Sequence, residues 1–338
     1  MNTVCPFIIA EMSGNHNQSL ERALAIVDAA AESGVQALKL QTYTADTMTM
    51  PGVYTIHDPK SLWNGRGLYD LYQEAHTPWE WHKPVYDRAK EKGLICFSTP
   101  FDETAVDFLE TLDNPIYKIA SFEVNHIPLL KYVARTGKPV ILSTGASTLA
   151  EIEEAVNTLR ENGCTDLTLL KCTSTYPATP ENTNLLTIPH LKQLFDCKVG
   201  LSDHTLGIGV SVASVALGAT VIEKHFSLSR AEGGVDSAFS MEPQEMKMLV
   251  EEVNRAYLAL GKVSHDVLEA EKNSRIFKRS VYASKEIKAG EVFTKENVKV
   301  IRPADGLHPR YFFDILGKKA KADITKGKPL SWDLINTI

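Results

Sequence analysis

The sequence lacks any long uncharged apolar run, the kind of segment that crosses a membrane as a helix. No run approaches the roughly 18 residues that a bilayer requires, and the N-terminus has no basic region followed by an apolar stretch, as a secretory signal would. Nor is there an excess of basic residues. With 36 lysines and arginines against 42 aspartates and glutamates, the net charge of −6 argues against nucleic acid and anionic membranes as partners. We therefore expect a cytoplasmic protein that binds any anionic ligand through local positive charge.

Cysteine patterns are absent as well. The chain of 338 residues has five cysteines, with no CxxC pair and no spacing typical of a metal site. An odd number of thiols in or beside apolar runs suits a reducing compartment better than a disulfide framework. The length leaves room for one domain of about 250 residues and a small appendage.

What the sequence does contain is a series of eight short apolar runs, each followed by a plausible helix. The runs are rich in Val, Ile and Leu, and each ends on a polar or charged residue. They lie at residues 7–12, 37–41, 95–99, 117–121, 140–144, 167–172, 199–203 and 221–226. Alternating strands and helices predict a parallel sheet. Eight such units predict a closed (β/α)8 TIM barrel, in which residues at the carboxyl ends of the strands form the active site.

Two stretches depart from this repeat. Residues 42–76 form a connection far longer than the usual loop between a strand and its helix, and they are rich in aromatic residues. We interpret them as an ordered flap near the barrel mouth; the alternative is an insertion packed on the side of the barrel. Beyond residue 260, short strands alternate with Gly turns. We predict a catalytic barrel over residues 1–260, a linker over 261–277 and a small domain over 278–338.

Strand alternation places several polar side chains on the inward face of the predicted barrel. In the first run, Glu11 shares a face with the apolar Ile9. The same alternation turns inward Lys39, Gln41, Ser202, His204, Glu223 and His225. Because a barrel lumen is tightly packed, charges that point into its upper end need a partner or a ligand.

Three kinds of chemistry are open to these residues. His204 and His225, at the ends of adjacent strands, could share one divalent metal ion, or they could be a hydrogen-bonded pair that stabilises the rim. Glu11 and Glu223 could transfer protons, or they could form structural ion pairs with the lysines. A third group could bind a phosphate and a carboxylate, although any single hydroxyl could instead cap a strand end. Its members are Lys39, Lys118, Thr99, Ser121, Ser143 and Ser202.

Several motifs resemble those of the sialic acid synthase family, the phosphoenolpyruvate-dependent nonulosonic acid synthases. They follow in order along the chain as IIAEMSGNHNQSLERA, KLQTYT, STPFDE, YKIASFE, LSTGAS, GLSDHT and EKHF. The last 60 residues, with VIRPADGLHP, resemble the antifreeze-like (SAF) domain of these enzymes. Other segments are most similar to the pseudaminic acid synthase branch. These are YTADTMT, LWNGRGLYDLYQEAHTPWEWH, KCTSTYP, DSAFS and GLHP.

The resemblance implies a transferase. Its reaction would be the metal-dependent condensation of phosphoenolpyruvate with 2,4-diacetamido-2,4,6-trideoxy-L-altrose to pseudaminic acid and phosphate, with cleavage of the C–O bond. Alternatives within the family are N-acetylneuraminate and legionaminate synthases, which use N-acetylmannosamine or its 6-deoxy diacetamido analogue. Two further hypotheses are a Schiff-base aldolase that uses Lys118, Lys171 or Lys224, and a sugar-binding or antifreeze-like interaction protein without activity.

The resemblance also implies roles for individual residues. His204 and His225 would bind the metal, Mn²⁺ first, with Mg²⁺ or Co²⁺ as alternatives, and Glu11 would lie near the reacting carbons. Arg302 would reach into the barrel of a partner in a domain-exchanged homodimer. The phosphoenolpyruvate site would comprise Lys39, Lys118, Thr99, Ser121, Ser143 and Ser202. The sugar site would comprise Gln41, Phe101, Tyr176, Glu223 and Asp236. Ser174 stands where many family members have Asn, and we assign it no role.

Overall fold

The computed structural model describes residues 5–59 and 61–336. The chain divides into two compact units, a large one that ends at Gly261 and a small one that begins at Lys262. Residues 262–279 therefore group with the small unit, and their side chains are exposed. No helix of the described part of the chain is both long and apolar enough to cross a membrane.

The large unit is a closed barrel of eight parallel strands, which confirms the predicted (β/α)8 fold. Each strand pairs with its neighbours in sequence, and the last pairs with the first. The strands are β1 (Phe7–Glu11), β2 (Ala37–Thr42), β3 (Ile95–Pro100), β4 (Tyr117–Ile119), β5 (Val140–Ser143), β6 (Leu167–Cys172), β7 (Lys198–Ser202) and β8 (Val221–His225).

Helices cover the outside of the barrel and begin where the sequence supplies caps. The Ser19 side chain accepts a hydrogen bond from the Arg22 N–H at the first helix, and Thr148 and Glu151 form a capping box at the seventh. The helices of the large unit are α1 (Leu20–Glu32), α2 (Ala45–Met48), α3 (Leu68–Ala75), α4 (Trp79–Glu91), α5 (Glu103–Glu110), α6 (Ile127–Ala134), α7 (Leu149–Glu161), α8 (Thr187–Phe195), α9 (Gly209–Ala216) and α10 (Pro243–Leu260).

An apolar plug fills the lower part of the lumen. It consists of Ile9, Ala37, Phe97, Ile141, Leu170 and Val221. Gly200 of β7 lies at the same level, where a side chain would collide with the Val221 carbonyl oxygen and the Leu170 side chain. Since side chains two residues apart on a strand share a face, the residues two positions beyond the plug point inward one layer higher. The lumen therefore changes from apolar to polar over one layer.

The described residues of the flap, 42–59 and 61–76, lie at the barrel mouth. The flap contains α2, α3 and an antiparallel bridge between Thr55 and Gly67. The Trp63 indole N–H donates a hydrogen bond to the carbonyl oxygen of Val235, 3.1 Å away, in the segment that follows β8. The flap therefore crosses from one side of the mouth to another, rather than packing on the side of the barrel.

The small unit has its own core. Its strands β9 (Ser280–Ala283) and β10 (Val298–Ile301) pair antiparallel, and α11 (Phe312–Ile315) follows them. Isolated bridges, such as Ile287 with Ile324, connect the remaining short segments. Its buried core consists of Val281, Ala283, Ile287, Phe293, Val298, Ile315, Ala320, Ile324, Leu330 and Ile335.

Candidate active site

Four charged side chains meet in the lumen directly above the apolar plug. The Lys39 ammonium forms an ion pair with Glu11 and lies 3.7 Å from Oε2 of Glu223. The Lys118 ammonium lies 3.8 Å from Oε1 of Glu223. All four side chains are at most 5% exposed, so two carboxylates and two ammonium groups compensate one another out of contact with water. Glu11 and Glu223 therefore form ion pairs with the lysines, which is one of the two alternatives that the sequence left open.

Neutral groups complete the hydrogen bonds of this charge cluster. The Lys39 ammonium donates to Oγ1 of Thr99 over 3.1 Å, and the Gln41 amide donates to Oε1 of Glu11 over 2.8 Å. The Ser202 hydroxyl donates to Oε1 of Glu223 over 3.1 Å. Within the described residues, Oε2 of Glu223 accepts no hydrogen bond. The cluster is thus held in place by hydrogen bonds, and Oε2 of Glu223 can still accept one from a ligand.

The two carboxyl groups differ in proton affinity. Burial raises the pKa of Glu11 by more than the Lys39 charge lowers it. Burial also acts on Glu223, but the charges of Lys118 and Lys39 outweigh it, and the pKa of Glu223 is lowered. Two neighbouring carboxyl groups whose pKa values are displaced in opposite directions have the arrangement expected of a proton carrier and a permanent anion. Glu11 is the candidate for the proton carrier.

The two histidines predicted as metal ligands lie side by side at the top of the lumen. The His204 and His225 ring centroids are 5.3 Å apart. The N–H at Nδ1 of His204 donates to the Thr173 carbonyl oxygen over 3.0 Å, which leaves Nε2 with its lone pair. Nδ1 of His225 is buried without a hydrogen-bond partner among the described residues, 3.9 Å from Oδ2 of Asp236.

These two imidazoles fit a divalent metal in their chemistry. Burial, with the positive charges nearby, lowers the pKa of His225 well below its usual value, so its ring stays neutral and can act as a ligand. A catalytic metal bound by few protein ligands retains open positions for water and substrate. In the part of the chain that the structure describes, no group of three His, Cys, Asp or Glu side chains is arranged as a complete metal site. Any metal here would thus depend on these two rings and on non-protein ligands.

A second buried ion pair holds the two histidine-bearing strands together from behind. Lys224 precedes His225, and its ammonium lies 3.0 Å from Oδ2 of Asp203, which precedes His204. Asp203 also accepts hydrogen bonds from the Ser211 hydroxyl and from the N–H and hydroxyl of Thr205. Strand alternation explains the arrangement, because each neighbour of an inward histidine points outward. In the SDH and EKH motifs the histidine ring thus points into the lumen. The preceding residues, Asp203 and Lys224, form an ion pair outside the lumen.

Most of the predicted site residues line one cavity of about 380 Å³ at the barrel mouth. The cavity brings together Glu11, Lys39, Gln41, Thr99, Phe101, Lys118, Ser121, Ser143, Tyr176, Ser202, His204, Glu223, His225 and Asp236. Arg302 belongs to the small unit, and its side chain is exposed. Of the lysines considered for a Schiff base, Lys118 lines the cavity, whereas Lys224 is paired outside the lumen and Lys171 donates to the Cys172 carbonyl oxygen.

Among the cavity residues that sequence reasoning missed are two titratable ones, Glu123 and Cys172. Burial raises the pKa of Glu123 to about 7, although Lys118 opposes the shift, and its Oε2 has no partner within the described chain. The thiol of Cys172 lies 3.9 Å from Nδ1 of His204. Burial would raise the pKa of Cys172, but His204 lowers it to about 6. Cys172 could have been found, because it shares the inward face of β6 with Leu170; Glu123 follows a strand that ends at Ile119, so alternation does not reach it.

A closed barrel with a buried cluster of lysines and glutamates below two adjacent histidines defines a TIM-barrel enzyme. The chain belongs to the NeuB family, whose pattern matches residues 26–265, and residues 278–336 match the SAF domain. The resemblance to sialic acid synthases is thereby confirmed.

Three known proteins illustrate the relationship. A pseudaminic acid synthase from Campylobacter jejuni subsp. jejuni serotype O:2 is 46% identical, over 96% of this chain and 95% of its own length. An N,N'-diacetyllegionaminic acid synthase from the same organism is 39% identical, over 93% and 95%. The crystal structure of an N-acetylneuraminic acid (sialic acid) synthetase from Leptospira borgpetersenii serovar Hardjo-bovis is similar with a TM-score of 0.72 and 32% identity, and the match covers 80% of this chain and 90% of that one.

The ion pair behind the histidines generates a stability prediction. Lys224→Met leaves the Asp203 carboxylate buried without its counter-charge, so the free energy of unfolding should fall by about 3–5 kcal/mol. Urea denaturation followed by circular dichroism measures the change. The double variant Asp203→Asn/Lys224→Met should lose less than the single one, because it removes both charges.

The control for this prediction is Lys198→Met, which breaks the exposed ion pair with Asp166. That substitution should cost no more than about 1 kcal/mol. Equal losses in Lys224→Met and Lys198→Met would show that the buried pair does not hold the two strands.

Proposed function

We propose that the chain is a pseudaminic acid synthase, which condenses phosphoenolpyruvate with 2,4-diacetamido-2,4,6-trideoxy-L-altrose to give pseudaminic acid and phosphate. One observation carries the proposal: two buried lysines and several hydroxyls share a cavity with two adjacent imidazoles. Similarity to the Campylobacter jejuni pseudaminic acid synthase, higher than to the legionaminic acid synthase of that organism, favours this sugar. N-acetylneuraminate and legionaminate synthesis are the alternatives within the family.

Phosphoenolpyruvate would bind at the charge cluster. The Lys39 and Lys118 ammonium groups would contact its phosphate and carboxylate, and the surrounding hydroxyls would complete the site. The Ser143 hydroxyl supports this placement, because it is buried without a hydrogen-bond partner among the described residues and is free to donate. Lys39 is already paired with Glu11, so a bound anion must share that ammonium group.

The metal would be held by His204 and His225, with Mn²⁺ as the first candidate and Mg²⁺ or Co²⁺ as alternatives. Its contribution would be Lewis acidity, which makes the aldehyde carbon of the open-chain sugar more electrophilic. Gln41, Phe101, Tyr176 and Asp236 would position the sugar.

The side chains of the protein would then guide the condensation. The C3 carbon of phosphoenolpyruvate forms a bond to the aldehyde carbon, and the aldehyde oxygen takes up a proton from water and becomes a hydroxyl group. Positive charge develops at C2 beside the anionic groups that Lys39 and Lys118 would hold. Water adds at C2, and Glu11 would take its proton. Phosphate leaves with the bridging oxygen, and C2 becomes the keto group of the nine-carbon acid. Glu223 would stay ionised between the two lysines and keep them in place.

Two other functions fit the geometry less well. A Schiff-base aldolase would have to use Lys118, the one of the three candidate lysines that lines the cavity, and its ammonium already donates to the Ile119 carbonyl oxygen over 2.9 Å. A non-enzymatic interaction protein gives no reason for four charged side chains to be buried in the lumen at the cost of desolvation.

We also propose that the working form is a domain-exchanged homodimer in the cytoplasm. Residues 262–338 hold 16 lysines and arginines against 10 aspartates and glutamates, a net charge of +6, whereas residues 1–261 carry −12. Opposite charges on two units favour association of one with the other. Arg302 would then reach the sugar in the barrel of the partner. The five free cysteines are consistent with a reducing compartment.

Phosphate release from phosphoenolpyruvate tests the proposed reaction. With Mn²⁺ present, release should require a sugar and should be fastest with 2,4-diacetamido-2,4,6-trideoxy-L-altrose in a panel that includes N-acetylmannosamine. Borohydride added with pyruvate should trap no adduct on the protein. A preference for N-acetylmannosamine would favour the neuraminate alternative, and binding without phosphate release would favour the interaction protein.

Removal of one histidine tests the metal site. His225→Ala should lower kcat by more than about 100-fold, since even groups that only orient a metal ligand contribute 10- to 100-fold. The melting temperature should change little, because the ring lies at the rim. Mn²⁺ binding, followed by electron paramagnetic resonance, should weaken in parallel. His190→Ala, at an exposed position of α8, is the control. Metal-dependent phosphate release at the normal rate in His225→Ala would refute the assignment.

Subunit mixing tests the role of Arg302. Arg302→Ala should raise the KM of the sugar more than that of phosphoenolpyruvate, whereas Arg310→Ala should raise neither. When Arg302→Ala and His225→Ala chains are mixed under conditions that exchange subunits, each mixed dimer should contain one intact site and regain activity. Equal effects on both KM values, with no recovery on mixing, would contradict contact across the dimer.

A further inference from the structure

The flap lines the cavity with an apolar surface. We define the flap wall as Met48, Ile56, Trp63, Leu68, Leu71 and Ala75, all of which border the cavity. Of the described flap residues, Tyr43 and Tyr72 bring hydroxyls to the cavity, and none brings a charge or a carboxamide. The lining of the opposite side is polar, as the lysines, glutamates and histidines show. The cavity therefore has an apolar wall, the flap wall. Its charged floor is the cluster of Glu11, Lys39, Lys118 and Glu223.

None of the described charged residues of the flap lines the cavity. Arg66 forms an ion pair with Glu74, and both side chains are more than a third exposed. Asp46 accepts a hydrogen bond from the Tyr69 hydroxyl over 3.0 Å. The flap segment is thus amphipathic, with its apolar side toward the cavity. Apolar surface that borders a cavity is typical of a ligand-binding site.

Aromatic contacts fix the position of the flap wall relative to the histidines. The Trp63 ring lies 5.9 Å from that of Tyr176, which in turn lies 4.5 Å from His204. The single N–H of the Trp63 indole is used by the Val235 carbonyl oxygen, so it is not available to a ligand. On the other side, Tyr43 contacts both Tyr72 and Phe101 edge to face. The wall therefore begins beside the candidate metal site and extends away from it.

From this arrangement we infer that the flap wall selects for a 6-deoxy amino sugar and against the corresponding sugar with a 6-hydroxyl group. The inference rests on the proposed function. If the aldehyde carbon, C1, is placed at the histidines, the chain of the sugar runs from the charged floor toward the wall, and C6 is the end farthest from the histidines. A methyl group there has no hydrogen bond to lose on leaving water, and its burial against the wall is favourable. A hydroxyl group would be buried against side chains that offer it no hydrogen bond.

The size of the selection follows from the same physics. An apolar pocket rejects a ligand that merely adds a hydroxyl by a factor of about 100 at most. We therefore expect kcat/KM for 2,4-diacetamido-2,4,6-trideoxy-L-altrose to exceed that for its 6-hydroxy counterpart by about 10- to 100-fold. The KM of phosphoenolpyruvate should be the same with either sugar, because the wall lies away from the charged floor.

Two polar substitutions in the wall test the inference. Leu68→Asn and Met48→Gln keep approximately the shape of the side chain but add hydrogen-bonding groups. Each should reduce the preference for the 6-deoxy sugar at least threefold by improving relative turnover of the 6-hydroxy sugar, with little change in the KM of phosphoenolpyruvate. The control is Leu62→Asn, in the same flap but half exposed and outside the cavity lining, which should keep the wild-type ratio.

The outcomes separate this inference from the proposed function. Phosphate release with both sugars at equal efficiency in the wild-type protein would overturn the role of the wall and leave the synthase activity standing. A wild-type preference that neither Leu68→Asn nor Met48→Gln reduces would do the same. No phosphate release with either sugar would overturn both.

Discussion

Lys39 lies in the lumen between the carboxylates of Glu11 and Glu223. The arrangement of the upper half of the barrel depends on the compensation of these charges. Without it, Glu11 and Glu223 would be buried anions with a large desolvation cost. Because the apolar plug fills the lumen below, the cluster lies in the next layer of side chains above it. Strand alternation brings its members to that layer from β1, β2, β4 and β8. The cluster is neutral as a whole, so a bound anion changes the balance of every group in it.

The same alternation keeps the charged neighbours of the two histidines out of the lumen. Each inward ring is followed or preceded by an outward residue, and the outward Asp203 and Lys224 compensate each other between the strands and the helices. The ion pair stays outside the reacting region and still holds the two strand ends together. Above them, the flap replaces water with apolar surface. Burial by the flap strengthens every electrostatic interaction beneath it.

Much of the fold and part of the site can be read from the sequence. Eight apolar runs with polar ends predict the barrel, and the period of two predicts that Glu11, Lys39, Glu223 and His225 face inward. Glu123 escapes this reasoning because it lies in a short turn where the strand period no longer applies. Lys118 points into the lumen and is a candidate ligand, whereas Lys224 points outward and forms a structural ion pair. This difference in orientation depends on the residue at which each strand begins. The apolar side of the flap depends on tertiary contacts such as that of Trp63 with Val235, which no local pattern encodes.

In the proposed reaction, the charged floor of the barrel holds phosphoenolpyruvate while water adds at its C2 carbon. Phosphoenolpyruvate labelled with ¹⁸O at the oxygen that bridges C2 and phosphorus tests it most directly, with mass spectrometry of both products after turnover. The account predicts that the label leaves with phosphate. Label retained in the keto group of the nine-carbon acid would mean that the P–O bond breaks, and it would contradict the account.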